Sequence, residues 1–299
     1  MWLDVTYAIL ESVIAVLAIL GNILVIWVVR LNSACQTTTY FIVSLALADI
    51  AVGLVMPMAI VVSLNVSLPF EGCLFMCCLL VAFTQTSIMS LLAIAVDRYL
   101  RVRFLIRYRI ITSQKRIKVA LGTVWLLSVL MGFTPMFGWR KEPSSYQNCS
   151  FTGVMKMEYM VYLSFFVGTL IPLIIMAILY GSVFCIIRTK LKQWSTDVGG
   201  TRTFYRREFK TAKYLALVLF LFAVCWLPLC IMNCVHNFYP HLKIPKCILY
   251  MGILLSHSNS VMNPIVYAFK IKKFRETCSQ ILRMYIFCKD EEHERNSTS

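Results

Sequence analysis

Seven long apolar stretches constrain this chain more than any other feature. They run roughly over Ala8–Val29, Tyr40–Leu64, Leu74–Val96, Ile117–Phe137, Tyr159–Ile187, Tyr214–Val235 and Ile248–Phe269. A helix crossing about 30 Å of hydrocarbon needs about 20 mostly apolar residues, and each stretch meets that length. Pro57, Pro135, Pro172, Pro228 and Pro264 interrupt them, as bundled membrane helices tolerate and soluble helices do not. One such run alone reads equally well as a buried core helix; seven in succession do not. Composition agrees: 59% of the residues are hydrophobic, 14% are charged, and the mean hydropathy is +0.74. Soluble domains run nearer 45–50% apolar and about 25% charged. The expected fold class is therefore an all-α membrane protein, a seven-transmembrane helix bundle.

The formal charge of +15 suggests nucleic acid only until the basic residues are placed. They fall between the spans, so no nucleic-acid partner is expected. Arg30 and the stretches Arg98–Lys118, Arg188–Lys213 and Lys270–Arg295 hold 24 of the 29 Lys and Arg, and all lie on one side. Positive charge marks the cytoplasmic side, which predicts an extracellular amino terminus, a cytoplasmic carboxyl terminus and attraction to anionic inner-leaflet lipid. No cleavable signal is expected before Ala8, the first span serving as its own insertion signal. The sequons at Asn65 and Asn148 then fall in outer loops and are candidate glycosylation sites, whereas Asn296 falls inside.

Most of the twelve cysteines lie within spans, where Cys is a small apolar side chain. Cys73 and Cys149 both sit at the outer, oxidising side. A bridge between them would tie the second outer loop to the top of the third helix. Cys234 and Cys247 also lie near the outside, leaving a second bridge open.

Polar groups at membrane depth are costly and mark function. Asp49 stands nine residues into the second span, about 14 Å at 1.5 Å per residue. Ser87, Asn259 and Asn263 lie at comparable depth, with Trp226 on the sixth span. A carboxylate with Ser and Asn oxygens suits a small cation or a proton; a water-filled network that only packs helices is the plainer reading. Glu11 and His257 both lie in the outer third of their spans, and a buried Glu needs a partner, which favours a carboxylate–imidazole pair.

Several short motifs then occur in order, each on its own span. These are Gly21-Asn22, Leu45-Ala46-Leu47-Ala48-Asp49, Asp97-Arg98-Tyr99, Trp125, Cys225-Trp226-Leu227-Pro228 and Asn263-Pro264-Ile265-Val266-Tyr267. Together they resemble the rhodopsin-like G-protein-coupled receptors over nearly the whole chain. The runs Phe41–Gly53, Ser87–Val102 and Met251–Tyr267 are similar to the adenosine receptors, most of all to their third subtype.

Other classes fit less well. Retinal binding needs a lysine inside the seventh span, and Ile248–Phe269 holds none. A transporter should show a repeated half-sequence with broken helices, and an intramembrane enzyme a second acid near Asp49. An amine receptor should carry an acid eighteen positions before Arg98, where Leu80 stands. The amino-terminal tail of about seven residues disfavours peptide ligands. A small neutral ligand is expected, with a transporter or channel for a small neutral solute as the alternative.

The resemblance implies a non-enzymatic plasma-membrane receptor for adenosine with no cofactor other than an allosteric sodium ion. Phe151, two residues after Cys149, would cover the adenine ring. Asn233, two turns outward from Trp226, has an amide that can accept from the exocyclic amine and donate to the ring nitrogen beside it, the match Asn makes to adenine elsewhere. Ser256, His257 and Thr84 would take the ribose. Leu80, Leu229, Met160 and Ile253 would form apolar walls, with Gln85, Trp226 and Glu11 completing the set. Asp49, Ser87, Asn259 and Asn263 would hold sodium. Arg98 would be restrained by Asp97 and by Glu208 at the foot of the sixth helix. Pro228 and Pro264 would act as pivots, and Tyr180 and Tyr267 would steady the open form. The partner would be a heterotrimeric G protein, of the inhibitory class by resemblance alone.

After the seventh span, Phe274–Phe287 reads as a short amphipathic eighth helix on the inner leaflet. Phe274, Ile281, Leu282, Tyr285 and Ile286 face lipid, while Lys272, Lys273, Arg275 and Arg283 reach headgroups. Cys288 is the palmitoylation candidate, better placed than Cys278. This divides the chain into a receptor domain over 1–287 and a tail over 288–299, expected to be disordered.

Overall fold

The structure, a computed structural model, describes residues 2–31, 37–64, 66–104, 107–108, 112–142, 149–193, 200–270, 276–277 and 279. Its long helices are α1 (Trp2–Leu31), α2 (Thr37–Ser63), α3 (Phe70–Arg103), α4 (Gln114–Phe133), α5 (Ile171–Gln193), α6 (Gly200–Phe238) and α7 (Lys246–Lys270). A 3-10 turn over Thr134–Phe137 closes α4, and a single helical turn over Phe151–Val154 precedes a π-helical segment, Tyr159–Leu170, that runs directly into α5. Arg140 and Met155 form an isolated antiparallel bridge.

Each apolar run coincides with a helix, and most of the helices extend beyond their runs. The largest extension is in α6, which begins at Gly200 although its apolar run starts at Tyr214. A hydropathy pattern marks only the part in hydrocarbon, whereas the helix continues into water. Within that extension Tyr205 and Glu208 are buried, so the polar foot of α6 is packed against the bundle.

Among the described residues, six helices, α1 through α6 (with the π-helical segment counted into α5), are long and apolar enough to cross a membrane. α7 has the length at 25 residues, but Ser256, His257, Asn259, Ser260 and Asn263 dilute its apolarity. Most of these are buried in the bundle, which is how a spanning helix carries polar residues. Lipid-type surface appears on the outside instead: Val16, Leu20, Val119, Leu126, Ile178 and Phe220 are all exposed.

α3 is the axis of the bundle, packing on α2, α4, α5 and α6, while α1 bridges α2 and α7. One apolar cluster draws on six helices, including Leu45, Ile88, Ile94, Ile117, Met176, Phe222 and Val266. α4 meets α3 closely because Gly132 faces Ala82; a Cβ at 132 would lie 2.5 Å from it. Polar ties cross the same interior. Trp125 Nε1 of α4 donates to Ser44 Oγ of α2 at 3.1 Å, and Ser44 meets Ser90 of α3 at 3.2 Å.

Candidate functional site

The chemistry-bearing residues fall at three levels along the bundle. At one end, Cys73 and Cys149 are joined by a disulfide across 76 residues of sequence. It ties the segment after α4 to the start of α3, and three further contacts hold the same segment. Arg140 Nη1 donates to both carboxylate oxygens of Glu71 at 2.8 Å. The Arg140 guanidinium lies over the Phe70 ring at 5.6 Å, and Cys149 N–H donates to Val66 O at 2.8 Å. Phe151 follows immediately. With Met160 it packs on the cluster built from Cys73, Leu74, Cys149 and Tyr159. Cys234 and Cys247 are free thiols, so no second bridge forms between them.

Asn233, Leu229 and Trp226 lie along α6, all half-buried; Ile253 and His257 on α7 and Thr84 on α3 are half-buried too. Leu80 faces Val55 and Ala59 of α2. Glu11 is fully buried and its Oε1 pairs with His257 Nδ1, as the cost of a lone buried carboxylate demands. Glu11 Oε2 has no hydrogen-bond partner among the described residues. Ser256 Oγ donates to Ile253 O at 2.7 Å. Gln85, named as a ligand contact, is 2% exposed, and its Nε2 donates to Gly168 O in the π-helical segment at 2.6 Å.

A second group at this end escaped the sequence reading. Asp4 Oδ1 accepts from Lys246 Nζ at 2.5 Å and from Tyr250 OH at 2.9 Å. Tyr7 stacks on Tyr250 with ring centroids 4.1 Å apart and meets Ser63 Oγ at 3.2 Å. The hydrogen bond from the Lys246 ammonium, seconded by Tyr250, holds the Asp4 carboxyl down to about 2. Opposite charges at the ends of two spans were the available signal, but nothing in the sequence pairs them.

At the middle level Asp49 is fully buried. Ser87 Oγ donates to Oδ1 at 2.9 Å and Asn263 Nδ2 to Oδ2 at 2.8 Å. Ser260, absent from the sequence reading, also faces this carboxylate. Asn259 is buried one turn before Asn263. Asn263 Oδ1 is a buried acceptor with no donor among the described residues. One carboxylate beside two serine hydroxyls, with the spare Asn263 oxygen near it, fits a monovalent cation; hard cations take oxygen ligands.

At the far end Arg98 Nη1 meets Glu208 Oε2 at 3.2 Å, and Arg101 Nε meets Glu208 Oε1 at 3.3 Å. Asp97, expected to restrain Arg98, instead accepts from Tyr108 OH at 2.6 Å. Adjacent residues on a helix do not face each other, whereas residues three apart do. Arg98 and Arg101 therefore share Glu208, and Asp97 points elsewhere. Tyr99 packs beside Val102, Val183 and Ile187. Tyr180 joins the main core and Tyr267 a cluster with Val25, Val28 and Ala46. Pro228 and Pro264 lie inside α6 and α7.

Residues 21–267 match the family model of the 7 transmembrane receptor (rhodopsin family). The chain is a rhodopsin-family receptor. Over nearly its full length the receptor is similar to proteins named adenosine receptor A3. It is 57% identical to that of Canis lupus familiaris over 99% of this chain and 96% of the relative. The figures for Ovis aries are the same, and for Bos taurus they are 58% over 95% and 92%. The receptor thus belongs to the adenosine receptors, a multi-pass membrane family that is not enzymatic. Asn65, Asn148 and Cys288 lie outside the described residues of the receptor, as does the stretch 274–287 apart from Glu276, Thr277 and Ser279, which are helical.

Proposed function

We propose that this receptor binds extracellular adenosine at its disulfide-bearing end, at the plasma membrane, and activates an inhibitory-class G protein to lower cyclic AMP. The observation that carries this reading is the near full-length identity of 57–58% to adenosine receptors. The disulfide end faces outside, in keeping with the oxidising side and with the basic residues on the opposite side.

Phe151, held by the disulfide next to it, offers a ring for the adenine face. The Asn233 amide offers one donor and one acceptor to the adenine edge. His257, oriented by Glu11, takes the ribose together with Thr84 and Ser256, and Leu80, Leu229, Met160 and Ile253 exclude water. Trp226 lies two turns inward from Asn233 and packs beside Phe222, so ligand at Asn233 bears on the middle of α6.

Asp49, Ser87, Asn259 and Asn263 hold a sodium ion that favours the closed bundle; the spare Asn263 oxygen supports this assignment. Coupling between two sites is reciprocal, so sodium weakens agonist binding and agonist weakens sodium binding. At the cytoplasmic end, release of Glu208 lets α6 swing about Pro228 and frees Arg98 for the G protein, with Tyr180 and Tyr267 steadying the open form. Cys288 carries an acyl chain, and Asn65 and Asn148 carry glycans on the other side of the membrane.

Cyclic AMP in cells expressing the receptor tests the whole reading. Adenosine should lower it, and pertussis toxin should abolish the fall. A rise would reject inhibitory coupling and keep the ligand. No response from receptor confirmed at the surface would reject adenosine.

A further inference from the structure

Proline has no N–H, so inside an α-helix it strands the carbonyl four residues earlier. In a bilayer that carbonyl has no water to turn to and must find a donor within the protein. Among the described residues, three carbonyls placed four before a proline accept from a side chain of another element. Pro264 strands Ser260, whose carbonyl takes Asn22 Nδ2 of α1 at 2.9 Å. Pro172 strands Gly168, whose carbonyl takes Gln85 Nε2 of α3 at 2.6 Å. Pro135, in the 3-10 turn, denies Met131 its α-type donor, and that carbonyl takes Thr134 N–H and Tyr159 OH, the latter at 2.8 Å.

The Pro172 case bears on the ligand wall. Tyr159–Leu170 is π-helical, and its last bond runs from Ile171 N–H to Phe166 O. In the π register residue 172 would serve Val167 O and in the α register Gly168 O; proline serves neither, so the run ends there and the chain resumes as α5. Gly168 O, the α-register partner, is the carbonyl Gln85 reaches. Gly168 permits the approach: a Cβ there would sit 2.7 Å from Gln85 Oε1.

We infer that Gln85 is a positioning residue that stands in for the N–H Pro172 lacks, fixing the π-helical wall that carries Met160 against α3. It acts on ligand through that wall and not by touching it. The ligand arm of the test rests on the adenosine reading; the stability arm does not.

The test compares purified full-length receptor carrying Gln85→Met, Pro172→Ala or both with the parent, by thermal melting and by adenosine-agonist affinity. Methionine keeps the volume and removes the donor; alanine at 172 returns a backbone N–H that can reach Gly168 O. Gln85→Met should lower the melting temperature by about 2–4 °C and weaken agonist by roughly tenfold, the cost of a stranded buried acceptor. Pro172→Ala alone should lie near the parent. The double variant should recover most of both losses, and Gln85→His, which keeps a donor, should keep the parental melting temperature and affinity. An equal deficit with and without Pro172 overturns the inference. So does a loss of affinity with unchanged melting, which would make Gln85 a direct contact. If Gln85→Met yields no folded receptor, recovery in the double variant supports the coupling and its absence overturns it. A parent that melts normally but binds no adenosine agonist defeats the ligand reading and leaves the melting comparison standing.

Discussion

The two ends of the bundle are fastened in different ways. At the disulfide end, separate links join separate parts. Cys73–Cys149 and Arg140–Glu71 hold the segment after α4 to α3, and Asp4 with Lys246 and Tyr250 clasps α1 to α7. Loss of one leaves the others. At the far end, the described ion pairs between α3 and α6 converge on Glu208 alone. The first arrangement keeps a recognition surface in shape. The second can be released by one event, as an element with two discrete arrangements must be if a ligand is to bias it.

Breaking the disulfide should have the largest effect. Cys73→Ser or Cys149→Ser should cost about 2–5 kcal/mol of stability, read as loss of receptor at the cell surface and of agonist binding in what remains. A variant with normal melting and affinity would mean the redundant contacts suffice.

Glu208→Gln tests the opposite end. Removing the charge that holds two arginines should shift the resting equilibrium by about 1–2 kcal/mol, roughly tenfold toward the open form. Cyclic AMP should then fall without agonist, and agonist affinity should rise. Arg101→Ala, which leaves the Arg98 contact, should give a smaller change in the same direction. If both variants signal like the parent, Glu208 is not the restraint.

Asp49→Asn sharpens the link between the ends. It keeps the shape and removes the charge, so sodium should no longer weaken agonist binding, with a change in affinity of severalfold or less in sodium-free buffer. Undiminished sodium sensitivity would place the ion elsewhere.

How much of this was legible in the sequence follows from what each feature costs. The spans could be read because hydrocarbon admits few alternatives to an apolar helix. Glu11 and His257 could be paired from sequence because a buried carboxylate without a partner is prohibitive. The foot of α6 could not, since Gly200–Lys213 is polar and helical in water, outside the pattern that marks a span. Arg98 and Arg101 meet Glu208 because their i, i+3 spacing sets both on one face, a signal the sequence carries, whereas Tyr108 as a donor to Asp97 lies beyond the helix and has no such spacing to mark it. The partner of Gln85 is a backbone carbonyl, and any residue supplies one, so side-chain identity gives no clue to it.

The smallest effect belongs to the exposed clasp. The Asp4 carboxyl titrates near 2 in the folded receptor, below its ordinary value, so its contribution is present above about pH 4 and fades as pH falls through about 2. Surface ion pairs contribute little. Lys246→Ala should leave melting unchanged within about 1 °C while speeding amide exchange in the first turns of α1. A large drop in melting would make this clasp a principal support instead of one of several.

If ligand at the disulfide end opens the Glu208 lock, the distance between the ends of α3 and α6 that meet at Glu208 must grow. Spin labels at Arg103 and Lys210, in a background cleared of accessible thiols, should report a short distance with sodium and a longer one with adenosine plus the carboxyl-terminal peptide of an inhibitory-class G-protein α subunit. Glu208→Gln should populate the longer distance without ligand. An unchanged distance distribution in receptor shown to bind adenosine would contradict the account.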